Sequence, residues 1–223
     1  MFSVIFEVRP RPDRWDAYLD IAGSLRPDLQ RIDGFVDNIR YRSLARPGWL
    51  LSLSGWRDEK ALVRWRTQAR HHIAQEQGRE AIFLDYHLRV GQIVADTQPP
   101  AGHALVDQRL DETETGAATT ITLIDGIAPD KSGNGGTAES LARRLGLPPD
   151  AAGLTGWDVF EAVLTPGSVI LLLSWRTHDA ADAFRAAIHL PEGSRLRQIR
   201  IVRDYGLMDR REAPQYFPDR RQA

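Results

Sequence analysis

The feature that most constrains this sequence is an internal repeat. The stretches RPGWLLSLSGW and TPGSVILLLSW both place Pro-Gly before an apolar run and end on a tryptophan, Trp56 and Trp175. The two tryptophans are 119 residues apart, and this offset holds without a gap from Gly34 to Leu88. Further pairs at the offset are Gly34 with Gly153, Pro47 with Pro166, Gly48 with Gly167, Arg57 with Arg176, Ala61 with Ala180 and Asp85-Tyr86 with Asp204-Tyr205. A repeat of this length indicates a duplicated domain.

The stretch between the two copies has the composition of a linker. Residues 95–117 carry Pro-Pro, an acidic cluster and Gly, which are typical of loops and interrupt strands and helices. We therefore predict an N-terminal domain at 1–94, a linker at 95–117, a second domain at 118–209 and a C-terminal tail at 210–223.

Each copy shows strand and helix patterns in the same order. In the first copy these are a strand at 2–9, a helix between Pro12 and Gly34, strands at 35–44 and 49–56, a helix from Asp58 to about Gln77 and a strand at 80–94. The order β-α-β-β-α-β is the ferredoxin-like arrangement, in which helices cover one face of an antiparallel sheet. Because the other face would remain bare, we predict an α+β fold of two tandem ferredoxin-like domains, packed sheet to sheet as an intrachain pseudo-dimer.

Composition excludes several classes of function. The chain has no Cys, which excludes disulfides, a cysteine nucleophile and thiolate metal sites. A net charge of -1 gives no basis for a nucleic-acid surface. The longest aliphatic run, 169–173, is far too short to span a bilayer, and the N-terminal alternation of apolar and polar residues is a strand pattern rather than a signal peptide. We predict a cytoplasmic protein without nucleic-acid or membrane partners.

Residues 65–90, WRTQARHHIAQEQGREAIFLDYHLRV, carry a family resemblance. They resemble the second helix and last strand of the antibiotic biosynthesis monooxygenase family, whose members are dimeric α+β-barrel proteins. The matching features are Trp65, His71, Ala74-Gln75, Gly78-Arg79-Glu80, Phe83, Tyr86 and Arg89-Val90, together with Gly34-Phe35 and Trp56. The resemblance covers residues 2–94, and it extends to 118–209 mainly through the repeat.

The resemblance implies a cleft between sheet and helices and, for some members, oxygen insertion into electron-rich phenols without metal or flavin. The predicted function is therefore a cofactor-independent monooxygenase of an aromatic or polyketide-like small molecule. Other members degrade haem with a helix His, a helix Trp and a first-strand Asn, whereas this first strand offers Glu7 and Arg9. Haem is therefore disfavoured, and the predicted cofactor is none. The alternatives are a haem or small hydrophobic ligand-binding protein without turnover, and a non-catalytic structural or stress-response member.

Two residues of the second helix are the predicted catalytic residues. His71 can take a phenolic proton, and Trp65 can stack on a flat substrate. The alternatives are a helix-end histidine without chemistry and a tryptophan that belongs to the core. His72 and Glu76 share a helix face, but two ligands make no zinc site, so no metal is predicted.

Three further residues are predicted to bind substrate. They are Asn38 and Tyr41 on the second strand and Tyr86 on the last strand. Arg40 offers another hydrogen-bonding group between the first two, and the phase of the strand decides which of these side chains face the cleft.

The helix of the second copy lacks the predicted catalytic residues. At the offset of 119, Trp65 becomes Phe184 and His71 becomes Leu190. We therefore predict that the second copy serves as a structural partner within the chain. The predicted ligand is a small hydrophobic or aromatic molecule, and a further homodimer stays open.

Overall fold

The computed structural model describes residues 1–109, 115–128 and 137–209. The strands are β1 (Phe2–Pro10), β2 (Phe35–Ser43), β3 (Leu50–Trp56), β4 (Phe83–Asp96), β5 (Thr120–Ile127), β6 (Leu154–Ala162), β7 (Ser168–Trp175) and β8 (Arg195–Gly206). The helices are α1 (Trp15–Gln30), α2 (Glu59–Arg66), α3 (Ala69–Gln77), α4 (Ala138–Arg144) and α5 (His178–Ala187). Each half thus repeats the order of a ferredoxin-like unit, which confirms the predicted α+β fold of two tandem units.

The strands close into one antiparallel barrel, in the order β1-β3-β2-β6-β7-β5-β8-β4. The two halves join at two seams, where β2 pairs with β6 and β4 pairs with β8. Each half therefore caps the edge strands of the other, so that none of the eight described strands keeps an unpaired edge. The predicted intrachain barrel is confirmed, and the structure adds this edge pairing to the expected packing of the two sheets.

Two glycines of the repeat are required for the same structural reason. Gly34 and Gly153 precede β2 and β6 with φ of +88° and +84°, a region that L side chains rarely adopt. A Cβ atom there would lie 2.7 Å from the Cβ of Ala61 and 2.6 Å from that of Ala180, respectively. The paired glycines and alanines of the repeat therefore mark a close approach of chain and helix in each half.

The sheet separates two apolar layers. Inside the barrel, residues from both halves form one core, to which β3 contributes Leu51 and Leu53. Outside it, the helices pack on the opposite face of each half in separate clusters. Because successive strand residues face opposite sides, Ser52 and Ser54 of β3 face the helices of the N-terminal half.

Two local features depart from the predicted elements. The predicted helix up to Gln77 is two helices, α2 and α3, separated at Thr67 and Gln68. The last strand of the first copy begins at Phe83, because residues Gly78–Ile82 form a π-helical turn instead. The predicted domain bounds stay predictions, and the predicted tail at 210–223 lies outside the described residues.

None of the helices in the described part of the chain combines the length and the hydropathy that crossing a membrane requires.

Candidate functional site

A cavity of about 230 Å³ lies between the N-terminal half of the barrel and its helices α1, α2 and α3. Its strand side is lined by Val4, Phe6, Asn38, Arg40, Ser52, Ser54, Trp56, Tyr86, Leu88 and Val90. Its helix side includes Tyr18, Ala22, Leu25, Leu29, Leu62, Trp65, His71, Ala74 and Gln75. Most of the lining is apolar, with a few polar groups set into it, which is the usual make-up of a small-molecule site.

The break between α2 and α3 brings the two predicted catalytic residues together. In one continuous helix, side chains six residues apart would point about 120° away from each other. Here Asp58 caps α2 and Gln68 caps α3, each through a side-chain oxygen that accepts a backbone N–H. The new helix direction lays the imidazole of His71 flat on the indole of Trp65, with ring centroids 4.0 Å apart and planes at 14°.

The surroundings of His71 favour one of its two neutral tautomers. Nδ1 lies 2.9 Å from the backbone carbonyl of Trp65 and 3.0 Å from the side-chain amide nitrogen of Gln75, and that nitrogen donates to the carbonyl of Arg66 at 3.1 Å. The backbone carbonyl can only accept and cannot reorient, whereas the amide can rotate. We therefore place the hydrogen on Nδ1, donating to Trp65, which leaves Nε2 as an acceptor.

Burial makes this imidazole a weak base. Desolvation lowers the pKa of His71 to about 4, and the hydrogen bond to the Trp65 carbonyl opposes that shift only in part. His71 is therefore neutral at pH 7. An anion formed beside it would raise the pKa again, because opposite charges favour the protonated imidazole.

Strand phase divides the predicted substrate-binding residues of β2. Asn38 lines the cavity, and its amide donates to Ser52 Oγ at 3.1 Å and to the Leu53 carbonyl at 3.2 Å. Tyr41, three residues on, faces the opposite side and lies in the barrel core with 4% of its surface exposed. The structure does not bring Tyr41 to this cavity, since residues an odd number apart on a regular strand cannot share a face.

Tyr86 reaches the cavity from β4. Its hydroxyl accepts a hydrogen bond of 2.8 Å from Arg79, a buried residue of the π-helical turn. The turn approaches Phe83 so closely that a Cβ on Gly78 would lie 2.4 Å from the Phe83 ring. Tyr86 also packs against Phe6, with ring centroids 5.5 Å apart. This end of the cavity is therefore aromatic, with one hydroxyl already engaged.

Sequence reasoning missed the two serines of β3. Ser52 and Ser54 interrupt an otherwise apolar strand on the face that lines the cavity. At the repeat offset their counterparts are Leu171 and Leu173. The signal was therefore present in the two repeated phrases, where LLSLSGW stands against VILLLSW.

Among the described residues, no group of three or more His, Asp or Glu side chains is placed to hold a metal ion.

Comparison with known proteins identifies the family. Residues 1–77 match the family described as antibiotic biosynthesis monooxygenase. A protein of Pyricularia oryzae described as "Jasmonate monooxygenase ABM" is 50% identical over 223 residues, which cover 98% of this chain and 99% of that protein.

Solved structures also match. A protein of Mycobacterium tuberculosis is 24% identical and covers 40% of this chain and 90% of its own, with a TM-score of 0.37. An anthrone oxidase-like protein is 12% identical and covers 96% of both chains, with a TM-score of 0.34.

The chain belongs to the antibiotic biosynthesis monooxygenase family, because its relative is half identical over nearly the whole of both sequences. The prediction of a monooxygenase of this family is confirmed at that level. The class of substrate and the roles of individual residues belong to the proposal that follows.

Proposed function

We propose that the protein is a monooxygenase that oxidises a small, largely apolar molecule held in the cavity of its N-terminal half. The single observation that carries the proposal is the Trp65–His71 stack at the wall of an apolar cavity of about 230 Å³. Such a cavity excludes water from a bound molecule and holds that molecule in one orientation. Desolvation and orientation are the main contributions that a protein without a cofactor can make to a reaction with O₂. An open cavity favours this function over the structural alternative, which predicts a filled cleft.

His71 is the proposed proton acceptor, through Nε2. Loss of a proton from a phenol or an activated CH₂ group would leave an electron-rich anion in the cavity. This anion would reduce O₂ itself, so that a CH₂ group becomes a carbonyl and the second oxygen atom leaves as water. Because the anion also raises the pKa of His71, the imidazole can hold the proton until the proton is transferred to the oxygen atom that leaves as water. Trp65 is the proposed stacking surface, and Asn38 and Tyr86 are proposed contacts of the substrate.

The class of substrate has two candidates. Aromatic or polyketide-like molecules themselves supply the two electrons that reduce the second oxygen atom of O₂ to water. The relative in Pyricularia oryzae, which shares half of its residues with this chain, favours jasmonate, a cyclopentanone carboxylate. Hydroxylation of a saturated carbon of jasmonate would balance as RH, O₂, two electrons and two protons giving ROH and water, so that assay must include a two-electron reductant such as NADPH.

Oxygen uptake tests the function. Purified protein is incubated with an anthrone, a quinol or jasmonic acid, the last with and without NADPH, in buffer that contains ¹⁸O₂. We expect uptake above the buffer rate with at least one of them, and one ¹⁸O atom in the product. Uptake that stays at the buffer rate with all of them would overturn the proposal.

Two neighbouring variants test the role of His71. His71→Ala should lower the rate by about 100-fold, the usual contribution of a positioned acid–base group. His72→Ala is the matched control, because the adjacent imidazole does not line the cavity, and its rate should match that of the wild type. Equal losses in both variants would contradict a role for His71.

A further inference from the structure

Arg40 is unlike two buried arginines of the barrel strands, Arg89 and Arg197. It lies on β2 and lines the cavity, and within the described residues it forms no ion pair. Its Nε atom is buried and has no hydrogen-bond partner. The Nε atoms of Arg89 and Arg197 are likewise unpartnered, but the guanidinium groups of these two arginines pair with Glu7 and Asp125. Arg40 alone of these three holds a charge without a counter-ion from the described residues.

The surroundings of Arg40 do not supply that counter-ion. The neighbouring phenol of Tyr18 can form a hydrogen bond with it, but burial raises the pKa of Tyr18, so this group is neutral at pH 7. No Asp or Glu is among the described residues that line the cavity. The guanidinium group of Arg40 therefore faces a largely apolar lining without a carboxylate, where electrostatic interactions are strong.

The second half of the chain shows what the position becomes without a cavity. At the repeat offset, Arg40 corresponds to Val159, which is fully buried in the core beneath α4 and α5. An apolar residue is thus compatible with this fold at this strand position. A charge kept unpaired at a partly buried position costs free energy, so its retention in one half calls for a ligand that neutralises it.

We propose that Arg40 binds a carboxylate of the substrate, and hence that the cavity selects apolar monocarboxylates over their neutral esters. A guanidinium group donates two parallel hydrogen bonds to a carboxylate, which fixes orientation as well as charge. Asn38 lies two residues away on the same face, at about 6.6 Å along the strand, and its amide nitrogen already donates to Ser52 and to the Leu53 carbonyl, so the carboxylate is assigned to Arg40. The inference rests on the proposed function, since it takes this cavity as the substrate site.

Calorimetric titration tests the inference without turnover. The probes are jasmonic acid with methyl jasmonate, and 1-naphthylacetic acid with its methyl ester, which separate carboxylate recognition from the shape of the apolar part. Wild-type protein should bind at least one acid about 10- to 100-fold more tightly than its ester, the range expected for a charge-assisted hydrogen bond. Arg40→Met should lose that preference and keep its affinity for the ester. Arg40→Lys should recover part of it, because a charge remains without the planar fork.

Arg42→Met is the matched control, because Arg42 follows on the same strand and face but pairs with Glu161 outside the cavity. It should bind like the wild type, and circular dichroism should show that every variant is folded. The inference is overturned if acid preference persists in Arg40→Met, or if neither acid binds wild-type protein more tightly than its ester. Oxygen uptake without acid preference would leave the proposed function standing, whereas acid binding at Arg40 without oxygen uptake would remove the proposed function alone.

Discussion

The two halves of the barrel share a backbone and differ in the side chains that face their helices. In the N-terminal half the central positions of β2 and β3 are polar, and in the C-terminal half the same positions of β6 and β7 are apolar. The pairs at the repeat offset are Asn38 with Trp157, Arg40 with Val159, Ser52 with Leu171 and Ser54 with Leu173. Strand register is the same, since Arg40 lies opposite Ser52 as Val159 lies opposite Leu171. At three of these four positions the side chain of the N-terminal half is the smaller one, and this difference in volume on one strand face favours a cavity there and a core in the other half.

The helices follow the same division. Where the N-terminal half stacks His71 on Trp65 beside the cavity, the C-terminal half carries Phe184 and Leu190 in its core. The Phe184 ring packs on Trp175, with centroids 5.0 Å apart. The comparison assigns ligand binding to one half and stabilisation to the other, and this assignment can be broken by exchanging volume between them.

Removal of volume from the closed half should have the largest effect. Leu171 is fully buried, so Leu171→Ala should lower the free energy of unfolding by about 2–5 kcal/mol, from lost burial and the cavity left behind. Chemical denaturation measures this loss. At a temperature where the variant is folded, ligand affinity and oxygen uptake should match the wild type, and a large loss of affinity would show that the closed half also forms the site.

Addition of volume to the open half should act on function instead. Ser52→Leu places the side chain of the second copy in the cavity, and it should lower ligand affinity by about 100-fold, or about 2.7 kcal/mol. The amide of Asn38 keeps the Leu53 carbonyl as acceptor, so stability should change by about 1 kcal/mol or less. Ser52→Ala, which removes the hydroxyl without filling space, is the control and should bind ligand nearly as well as the wild type. Normal affinity in Ser52→Leu would place the ligand elsewhere.

The fold was predictable from the sequence because the same structural constraints recur in both copies of the repeat. Paired glycines, the shared turn before β3 and the shared tryptophan at its end each have one cause in both halves, so pattern and offset sufficed. The placement of Trp65 and His71 beside one cleft was predicted from the family resemblance. Their stacking was not, because it depends on the helix break at Thr67 and Gln68, and glutamine is not among the residues that usually cap the start of a helix.

The strand side of the site was harder to predict for a different reason. Alternation shows that Asn38 and Tyr41 face opposite sides, yet both sides of β2 are covered, one by helices and one by the other half of the barrel. Local sequence cannot say which side holds the cavity when each side needs buried residues. The contrast between Ser52 and Leu171 in the repeated phrases indicates which side holds the cavity. It can be interpreted only once the two strands are known to be equivalent.

Acid should weaken the open half through His71. The folded-state pKa of about 4 lies below the ordinary value of 6.5, so between these pH values the unfolded chain binds more protons than the folded chain. The stability linked to this group is therefore present above pH 6.5 and is lost as pH falls towards 4, by about 2 kcal/mol after allowance for partial exposure. Urea unfolding at pH 7, 5.5 and 4 measures the loss, and His71→Gln should make the curve flatter. An unchanged slope in that variant would assign the acid sensitivity to other groups.

Loss of the Arg40 charge should have the smallest effect on stability. Arg40→Met removes a guanidinium group that has no counter-ion among the described residues, so the free energy of unfolding should stay within about 1 kcal/mol of the wild type or rise. Thermal and urea unfolding of the variant measure the change. A loss of several kcal/mol would mean that Arg40 is a structural residue, and the comparison between the halves would then lose its functional meaning at this position.

A crystal structure of the protein with bound jasmonic acid tests the division between the halves most directly. The account predicts ligand density in the N-terminal cavity, beside Trp65 and His71 and with the carboxylate on Arg40, and a closed layer beneath α4 and α5. Ligand bound between the helices and sheet of the C-terminal half, with the N-terminal cavity vacant, would contradict it.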